Sequence, residues 1–249
     1  MRIPFTKYAI KRFNPGLEQQ YAQCAAANDA MAHRSHARFH IINALLKHTH
    51  QRRYLEIGVR NPADNFDRIA ADFKVSVDPG VETQENLATF PLTSDEFFRK
   101  LRSGEIKLEQ PQFDVIFIDG LHLADQVYRD IQNALSVVSD VGFVVLHDCS
   151  PPTIHHAREN FREQGPATHF WNGTGWKAYQ RFRTESNKRC FVVDVDWGVA
   201  VIVNHDESPA YRLSADANPF FEFNVMDANR TRILNLVGPH DVPELADQL

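Results

Sequence analysis

FDVIFIDGLHLADQVYRDIQNALSVVSDVGFVVLHDCS, residues 113–150, decides the architecture. Two short runs that are apolar on both faces, Val115–Ile118 and Gly142–Leu146, flank a stretch in which Val127, Ile131, Leu135 and Val138 recur at helical spacing. Strands buried on both faces belong to parallel sheets covered by helices, and a helix between two such strands is the crossover that parallel pairing requires. The segment reads as a βαβ unit.

The same rhythm continues on either side. Tyr54–Val59 and Val75–Asp78 are similar runs, and Thr89–Thr93 is expected to add a short strand. Phe191–Asp196 and Val199–Asn204 are β-rich and separated only by Trp197 and Gly198, which fits an antiparallel hairpin better than another crossover. From Leu17 to about His50 the chain is rich in Ala, Gln, Leu and His without Pro or Gly, as one or two helices would be. From about Asn218 a helix is expected through Asn229–Leu236, then a polar tail. The expected organisation is an N-terminal helical extension over 1–50, a core over 51–205 and a C-terminal extension over 206–249, all in a single compact domain. The C-terminal part either caps the sheet or meets another subunit of a homo-oligomer.

At 249 residues and 43% hydrophobic, the chain can fill a core, so disorder is excluded as its main state. Lys and Arg total 27 against 32 Asp and Glu, a net charge of -5 that gives no global attraction to nucleic acid or anionic membrane and leaves open only a local basic patch. The three cysteines lack metal or redox spacing, which excludes a disulfide scaffold and a zinc ribbon and fits a reducing cytosol. The opening MRIPFTKYAIKRFNPG is too polar for a secretory signal, and no run approaches the roughly 18 to 20 apolar residues of a membrane span. A cytoplasmic protein is expected.

Chemistry gathers where the strands end. Glu56-x-Gly58 closes the first core strand, and Asp78 follows Glu56 by 22 residues at the end of the next, a spacing that offers a carboxylate to the hydroxyls of a ribose. The intervening turn, VRNPADNF, lacks the G-x-G-x-x-G pattern, which argues against a dinucleotide pyrophosphate and hence against a nicotinamide-dependent oxidoreductase. The plainer alternative is that Gly58 ends a strand and Asp78 caps the turn before Pro79. Asp119 follows VIFI and Asp148 follows VVL, so both acids emerge at one rim, about 4.8 Å apart if the strands are neighbours. Two carboxylates suit Mg²⁺, or Mn²⁺ if a histidine joins them. His122 and His147 are at hand, although strand alternation lets His147 and Asp148 both serve only if the strand has ended at His147. Here too a structural alternative stands: a turn at Asp119, a helix start at His122, a cap at His147–Asp148.

Other groups are less pointed. His155 and His156 read as solvated or as lining an entrance, and His33, His36 and His40 as one polar helix face. HFWNGTGWKAYQRFR, residues 169–183, places Trp171 and Trp176 in and after a glycine-rich turn, where they either pack or offer faces to a ligand. Lys177 and Arg181, one helical turn apart, could hold an anionic group.

As a whole, residues 53–204 resemble the bacterial class I S-adenosylmethionine-dependent methyltransferases of the FIDGLH type. The resemblance is carried by YLEIGVRNPADNF (54–66), SVDPG (76–80), TSDEFF (93–98), FDVIFIDGLHLADQVYRDIQNAL (113–135), VVLHDCSPP (144–152), WNGTGWKAYQRFR (171–183) and VVDVDWGVAVI (192–202). It implies a Rossmann-like α/β fold with a mostly parallel seven-stranded sheet ending in an antiparallel hairpin. For the cofactor, S-adenosyl-L-methionine, it implies Glu56 and Gly58 at the methionine end, Asn65 in place of part of the usual glycine loop, Asp78 on the ribose, Ser94 and Asp95 near the adenine, and Asp119 alongside. A divalent metal, Mg²⁺ or Mn²⁺, is expected on Asp119, His147 and Asp148. His122 is the expected base, acting with Asp119, since an imidazole near pKa 6.5 accepts a proton at neutral pH. His122, Trp176 and Lys177 are the expected acceptor contacts. The activity implied is O-methylation of a hydroxyl on a small-molecule or saccharide acceptor in glycan or secondary-metabolite assembly. Two alternatives remain: the same fold with other metal-assisted chemistry, and a catalytically silent domain that binds a partner.

Overall fold

The structure, a computed structural model, describes residues 16–32, 37–82 and 84–242. His33 and His36, the first 15 residues and residues 243–249 of the expected extensions lie outside the described residues. Helices α1 (Gly16–Ala32) and α2 (Arg38–Lys47) precede β1 (Arg53–Ile57) and β2 (Phe73–Val77). Then come α3 (Ser94–Arg102), β3 (Phe113–Ile118), α4 (Ala124–Leu135), β4 (Val138–Leu146), α5 (Gly175–Glu185), β5 (Lys188–Val193) and β6 (Val199–Glu207). Two short helices, α6 (Phe223–Ala228) and α7 (Arg230–Leu234), lead into β7 (Leu236–Val237).

The sheet runs β2-β1-β3-β4-β6-β5-β7. Its β2-β1-β3-β4 half is parallel, β6 is antiparallel to both β4 and β5, and β7 is parallel to β5. Every residue of β3 is buried, as a central strand covered on both faces must be. Alternation then divides the core. Leu55, Ile57, Val75, Ile116, Ile118, Val144 and Leu146 face one way, toward Phe97 of α3, Ile131 of α4 and Tyr179 of α5. Tyr54, Val115, Phe117, Phe143, Val145 and Val201 face the other, toward Ile41, Ile42, Leu45 and Leu46 of α2. Truncating one of these buried leucines to Ala costs about 2–5 kcal/mol. The α2 helix is therefore a layer of the core.

Two expectations change in detail. Thr89–Thr93 contributes only a single bridge, Val77 to Phe90. Phe90 donates to Ser76 O (2.9 Å) and accepts from Asp78 N (3.2 Å), but the next donor of such a ladder, Leu92 N, turns back onto Phe90 O (2.8 Å) and the pairing stops. The seventh strand comes from the C-terminal stretch, where β7 pairs with the far edge of the hairpin at Val192–Leu236 and Val193–Val237. The helix expected through Asn229–Leu236 ends at Leu234, and Asn235 turns into β7 with φ 51°.

The register sets up the functional rim. Ile57, Ile118 and Leu146 are aligned across β1, β3 and β4, and Leu146 pairs with Ala200 of β6. Past these residues the ladder continues for one more bond on each strand: Gly58 N to Val77 O (2.8 Å), Asp119 N to Ile57 O (2.8 Å) and His147 N to Ile118 O (3.0 Å). Because β6 is antiparallel, the turn before it comes to the same rim, with Ser150 N bonded to Trp197 O (2.8 Å) and Cys149 N to Gly198 O (3.0 Å).

Candidate active site

Gly58 explains how closely the strands meet there. Its φ is 91°, and a Cβ on it would lie 2.2 Å from the Asp119 carbonyl oxygen. The neighbour that requires glycine is thus the backbone of Asp119, which Gly58 lets sit flush against the end of β1.

Asp119 leads a cluster of charged side chains. Its Oδ1 lies 2.9 Å from His147 Nδ1 and 3.3 Å from His122 Nε2, and its Oδ2 lies 3.7 Å from Arg38 Nε. His122 reaches across to Asp148, with Nδ1 and Oδ2 2.8 Å apart. The ring N–H misses that oxygen, so this is a charge contact and not a hydrogen bond. Asn172 Nδ2 donates to the other Asp148 oxygen at 2.5 Å. One donor atom each from Asp119, His122 and Asp148 fall within 4.8 Å of one another, a set of two carboxylates and an imidazole that fits a divalent cation.

His147 departs from its expected role as a ligand in that set. The strand ends at Leu146 and Asp148 takes φ 59°, so alternation no longer separates the two neighbours. Yet both His147 nitrogens are engaged: Nδ1 with Asp119, and Nε2 at 3.4 Å from Asp196 Oδ1 and 3.2 Å from Arg38 Nη1. The ring stands behind Asp119, while His122 stands in front. Arg38 closes the back of the cluster, its backbone N bonded to Asp196 Oδ2 at 2.9 Å and its Nη1 3.2 Å from the same oxygen. Asp196 and Trp197 adopt φ 42° and 66°, left-handed conformations unfavourable for such residues and held here by the turn onto β4.

Charge governs protonation in the cluster. Burial alone would raise Asp119, but the charges of His147 and Arg38 outweigh it and hold the carboxyl well below the usual range. Burial opposes the His122 imidazolium, yet the Asp148 charge and the hydrogen bond to Asp119 push it up to about 10. His147 is raised well above its ordinary value, against burial, by Asp119 and Asp148. The expectation of a neutral His122 is therefore corrected for this state: between two carboxylates, the ring holds its proton at neutral pH. Three acids, Asp119, Asp148 and Asp196, face three cations, Arg38, His122 and His147.

A second group stands at the end of β1. Glu56 is only 3% exposed. Its Oε2 accepts from Tyr54 Oη (2.6 Å) and from Asn65 Nδ2 (3.0 Å), and Asn65 also donates to Tyr54 Oη (3.1 Å). Burial pushes Glu56 up to about 7, despite the two hydrogen bonds that favour its anion. Asn65 Oδ1 is buried with no donor, an orphaned acceptor beside a carboxylate, and that corner fits a cationic ammonium group. Asp78 accepts Val59 N (2.8 Å) and Gly80 N (2.6 Å), one on each oxygen, so each retains a lone pair for a ligand hydroxyl. Ser94 and Asp95 open α3, where Gln126 Nε2 lies 3.1 Å from Ser94 Oγ and 3.4 Å from Asp95 Oδ1.

The tryptophan-rich segment folds over the His122 loop. Thr174 N donates to His122 O (2.7 Å), and a Cβ on Gly173, φ 68°, would lie 2.3 Å from that same oxygen. Trp171 stacks on the His122 ring, with centroids 5.2 Å apart and planes 14° from parallel. Trp176, an expected acceptor contact, is fully buried and meets Phe223 edge-on. His156 is neither solvated nor at an entrance: it is buried, with Nδ1 2.8 Å from Thr153 Oγ1 and Nε2 2.8 Å from Asn28 Oδ1 of α1. Burial and nearby Arg158 lower its pKa to about 4, so it tethers α1 as a neutral ring.

Sequence reasoning missed Arg38, Asp196, Asn172 and Tyr54. Arg38 and Asp196 carried no local signal. Tyr54 could have been found, since it lies two residues from Glu56 on one strand face.

A family model described as a methyltransferase domain matches residues 19–149, over half of the chain. No curated protein matches. Among solved structures, an O-methyltransferase from Bacillus cereus in complex with SAH is 14% identical, with a TM-score of 0.42, covering 79% of this chain and 96% of that one. The O-methyltransferase TomG from Streptomyces achromogenes, in complex with SAM, is 15% identical, with a TM-score of 0.40 and coverage of 74% and 88%.

Proposed function

The chain belongs to the methyltransferase-domain family whose model spans residues 19–149, and from that premise we propose that it methylates a hydroxyl of a sugar or saccharide intermediate, using S-adenosylmethionine. The observation that carries the reading is the meeting of Asp119, His122 and Asp148 at the carboxyl ends of β3 and β4, beside the acceptor-rich corner at the end of β1. Such a rim is where α/β sheets of this kind take ligands.

In this reading the orphaned Asn65 Oδ1 and the Glu56 carboxylate receive the ammonium of the methionine part, and Asp78 receives the ribose hydroxyls. Ser94 and Asp95 face the adenine. Asp119, His122 and Asp148 hold a divalent cation, and His147 orients Asp119 from behind. When bound, the nucleoside supplies a sulfonium methyl carbon for in-line displacement, and the cation supplies Lewis acidity toward the acceptor oxygen. The protein aligns oxygen, carbon and sulfur, and most of its rate enhancement comes from that positioning. His122 would serve either as a ligand of the cation or, without it, as the group that accepts the acceptor proton, and in the second role only when the charges of Asp119 and Asp148 are compensated by something other than its own imidazolium.

The self-compensated charges of the cluster favour one other reading, a domain that keeps the fold without turnover. Calorimetry separates the two, because the silent domain, kept to bind a partner, has no affinity for S-adenosylmethionine. Methyl transfer requires binding of S-adenosylmethionine and S-adenosylhomocysteine but not NAD; tight binding of NAD alone overturns the reading. Transfer of labelled methyl to a panel of nucleotide sugars and short saccharides should fall at least a hundredfold in Asp119→Asn, a loss of about 3 kcal/mol in transition-state stabilisation. Full activity in the presence of a chelator removes the cation.

A further inference from the structure

Lys177 borders two cavities. One, of about 310 Å³, is flanked by Leu121 and Leu123, the residues on either side of His122. The other, of about 430 Å³, is lined by Ile154, Trp176, Phe220 and Phe223. Lys177 therefore stands between the His122 loop and an apolar mouth at which Phe220 is 81% exposed. Neighbouring cations are committed elsewhere. Arg129 lies 3.5 Å from Asp95, Arg181 is paired with Glu185 at 2.8 Å, and Arg158 donates to the carbonyls of His155 and Phe170, both at 2.7 Å. Lys177 makes no ion pair among the described residues; its ammonium lies 5.7 Å from the centre of the Trp176 ring. Asp125 and Glu159 line the first cavity and Glu222 the second, but none is paired with it. Trp176 also lines the second cavity, and its indole N–H is buried and has no acceptor. A half-buried ammonium with no ion pair and a buried N–H with no acceptor thus stand on adjacent residues, and a buried donor ordinarily has an acceptor.

We propose that the acceptor spans both cavities, with its reacting hydroxyl toward His122, an anionic group on Lys177, and an aryl or alkyl group against Phe220 and Phe223. The substrate class is then an anionic glycoside with an apolar aglycone. This rests on the methyl-transfer reading and narrows it. The carboxylate is recognised by a charge-assisted hydrogen bond from the ammonium, and the aglycone by burial of apolar surface at the mouth.

The test is binding, not turnover. Phenyl β-D-glucuronide, phenyl β-D-glucoside and glucuronic acid are titrated into the full chain by calorimetry, with and without saturating S-adenosylhomocysteine. The phenyl glucuronide binds tightest, and losing its carboxylate weakens binding about tenfold or more. Lys177→Gln abolishes that difference while leaving S-adenosylhomocysteine affinity unchanged. Phe220→Ser weakens the phenyl glucuronide and not glucuronic acid. Equal affinity for glucuronide and glucoside, no binding of the glucuronide in either state, or an undiminished carboxylate preference in Lys177→Gln overturns the proposal. Failure of S-adenosylhomocysteine to bind is a separate result that overturns the methyl-transfer reading itself.

Discussion

Replacing Gly58 by Ala tests whether the close approach of β1 and β3 builds the rim. The added Cβ would sit 2.2 Å from the Asp119 carbonyl oxygen, 2.5 Å from its carbon and 2.6 Å from Gly120 Cα. Ordinary contact begins near 3.4 Å, so backbone must move by about 1 Å. Neither side yields easily, because Gly58 N and Asp119 N are each bonded into the ladder at 2.8 Å. Two costs combine: about 1–2 kcal/mol for an L-residue at φ 91°, and about 1–3 kcal/mol for overpacking. Gly104 separates them. Its φ is 75°, and an added Cβ there meets nothing within 4 Å, so Gly104→Ala carries only the first cost. Equilibrium urea unfolding of the two variants should differ by about 1–3 kcal/mol, with Gly58→Ala the less stable. Because the movement falls on Asp119, Gly58→Ala should also weaken Mn²⁺ binding, whereas Gly104→Ala should not. If the two variants unfold within about 0.5 kcal/mol of each other, the rim is not held by this contact.

Glu56→Gln should flatten the dependence of stability on pH. A carboxyl raised from 4.5 to about 7 in the fold contributes stability that is present below its unfolded value and lost as pH rises through 7, on the order of 3 kcal/mol. Urea midpoints of both proteins between pH 4.5 and 8 check this, and parallel curves refute it. Arg38→Met strips Asp119 and Asp196 of a partly buried cation and should cost about 3 kcal/mol, read by the same unfolding assay. Mn²⁺ binding at pH 7 should release protons and weaken as pH falls, because His122 must lose the proton it holds up to about 10. Calorimetry in buffers of different ionisation enthalpy counts those protons, and a count of zero means that His122 stays outside the metal's ligands.

The elements legible in the sequence were those whose signal is local. A four-residue apolar run, a helical repeat and a second run announce β3, α4 and β4, and two carboxylates just past such runs cannot be core residues. Gly58 was legible as a special backbone position but not for its reason, since the carbonyl it accommodates is 61 residues further on. The Thr89–Thr93 strand failed because alternation says nothing about where the next donor, Leu92 N, is spent: it turns back onto Phe90 O. β7 was hidden because two residues carry no periodicity, and its pairing depends on an edge that only the folded hairpin provides. Arg38 looked like any charge at a helix start; its partners are assembled by the register of β3 and β4 and the turn before β6.

That placement has a consequence for how the site is held. Lys and Arg at a helix start run against the dipole, and Arg38 occupies the first position of α2. The unfavourable position is maintained because Asp196 takes both the backbone N–H and the guanidinium, so the start of α2 and the β5–β6 turn are fixed together. The apolar residues of α2 already hold the helix on the sheet, through Ile42 and Leu45 against the face that carries Phe117 and Val145. Arg38 is therefore not needed to dock the helix. What it adds is direction: with Asp196 and His147 it closes the back of Asp119, leaving His122 and Asp148 on the open side. A cation that opposes its own helix is held there by the two acids whose charges it balances, Asp119 and Asp196.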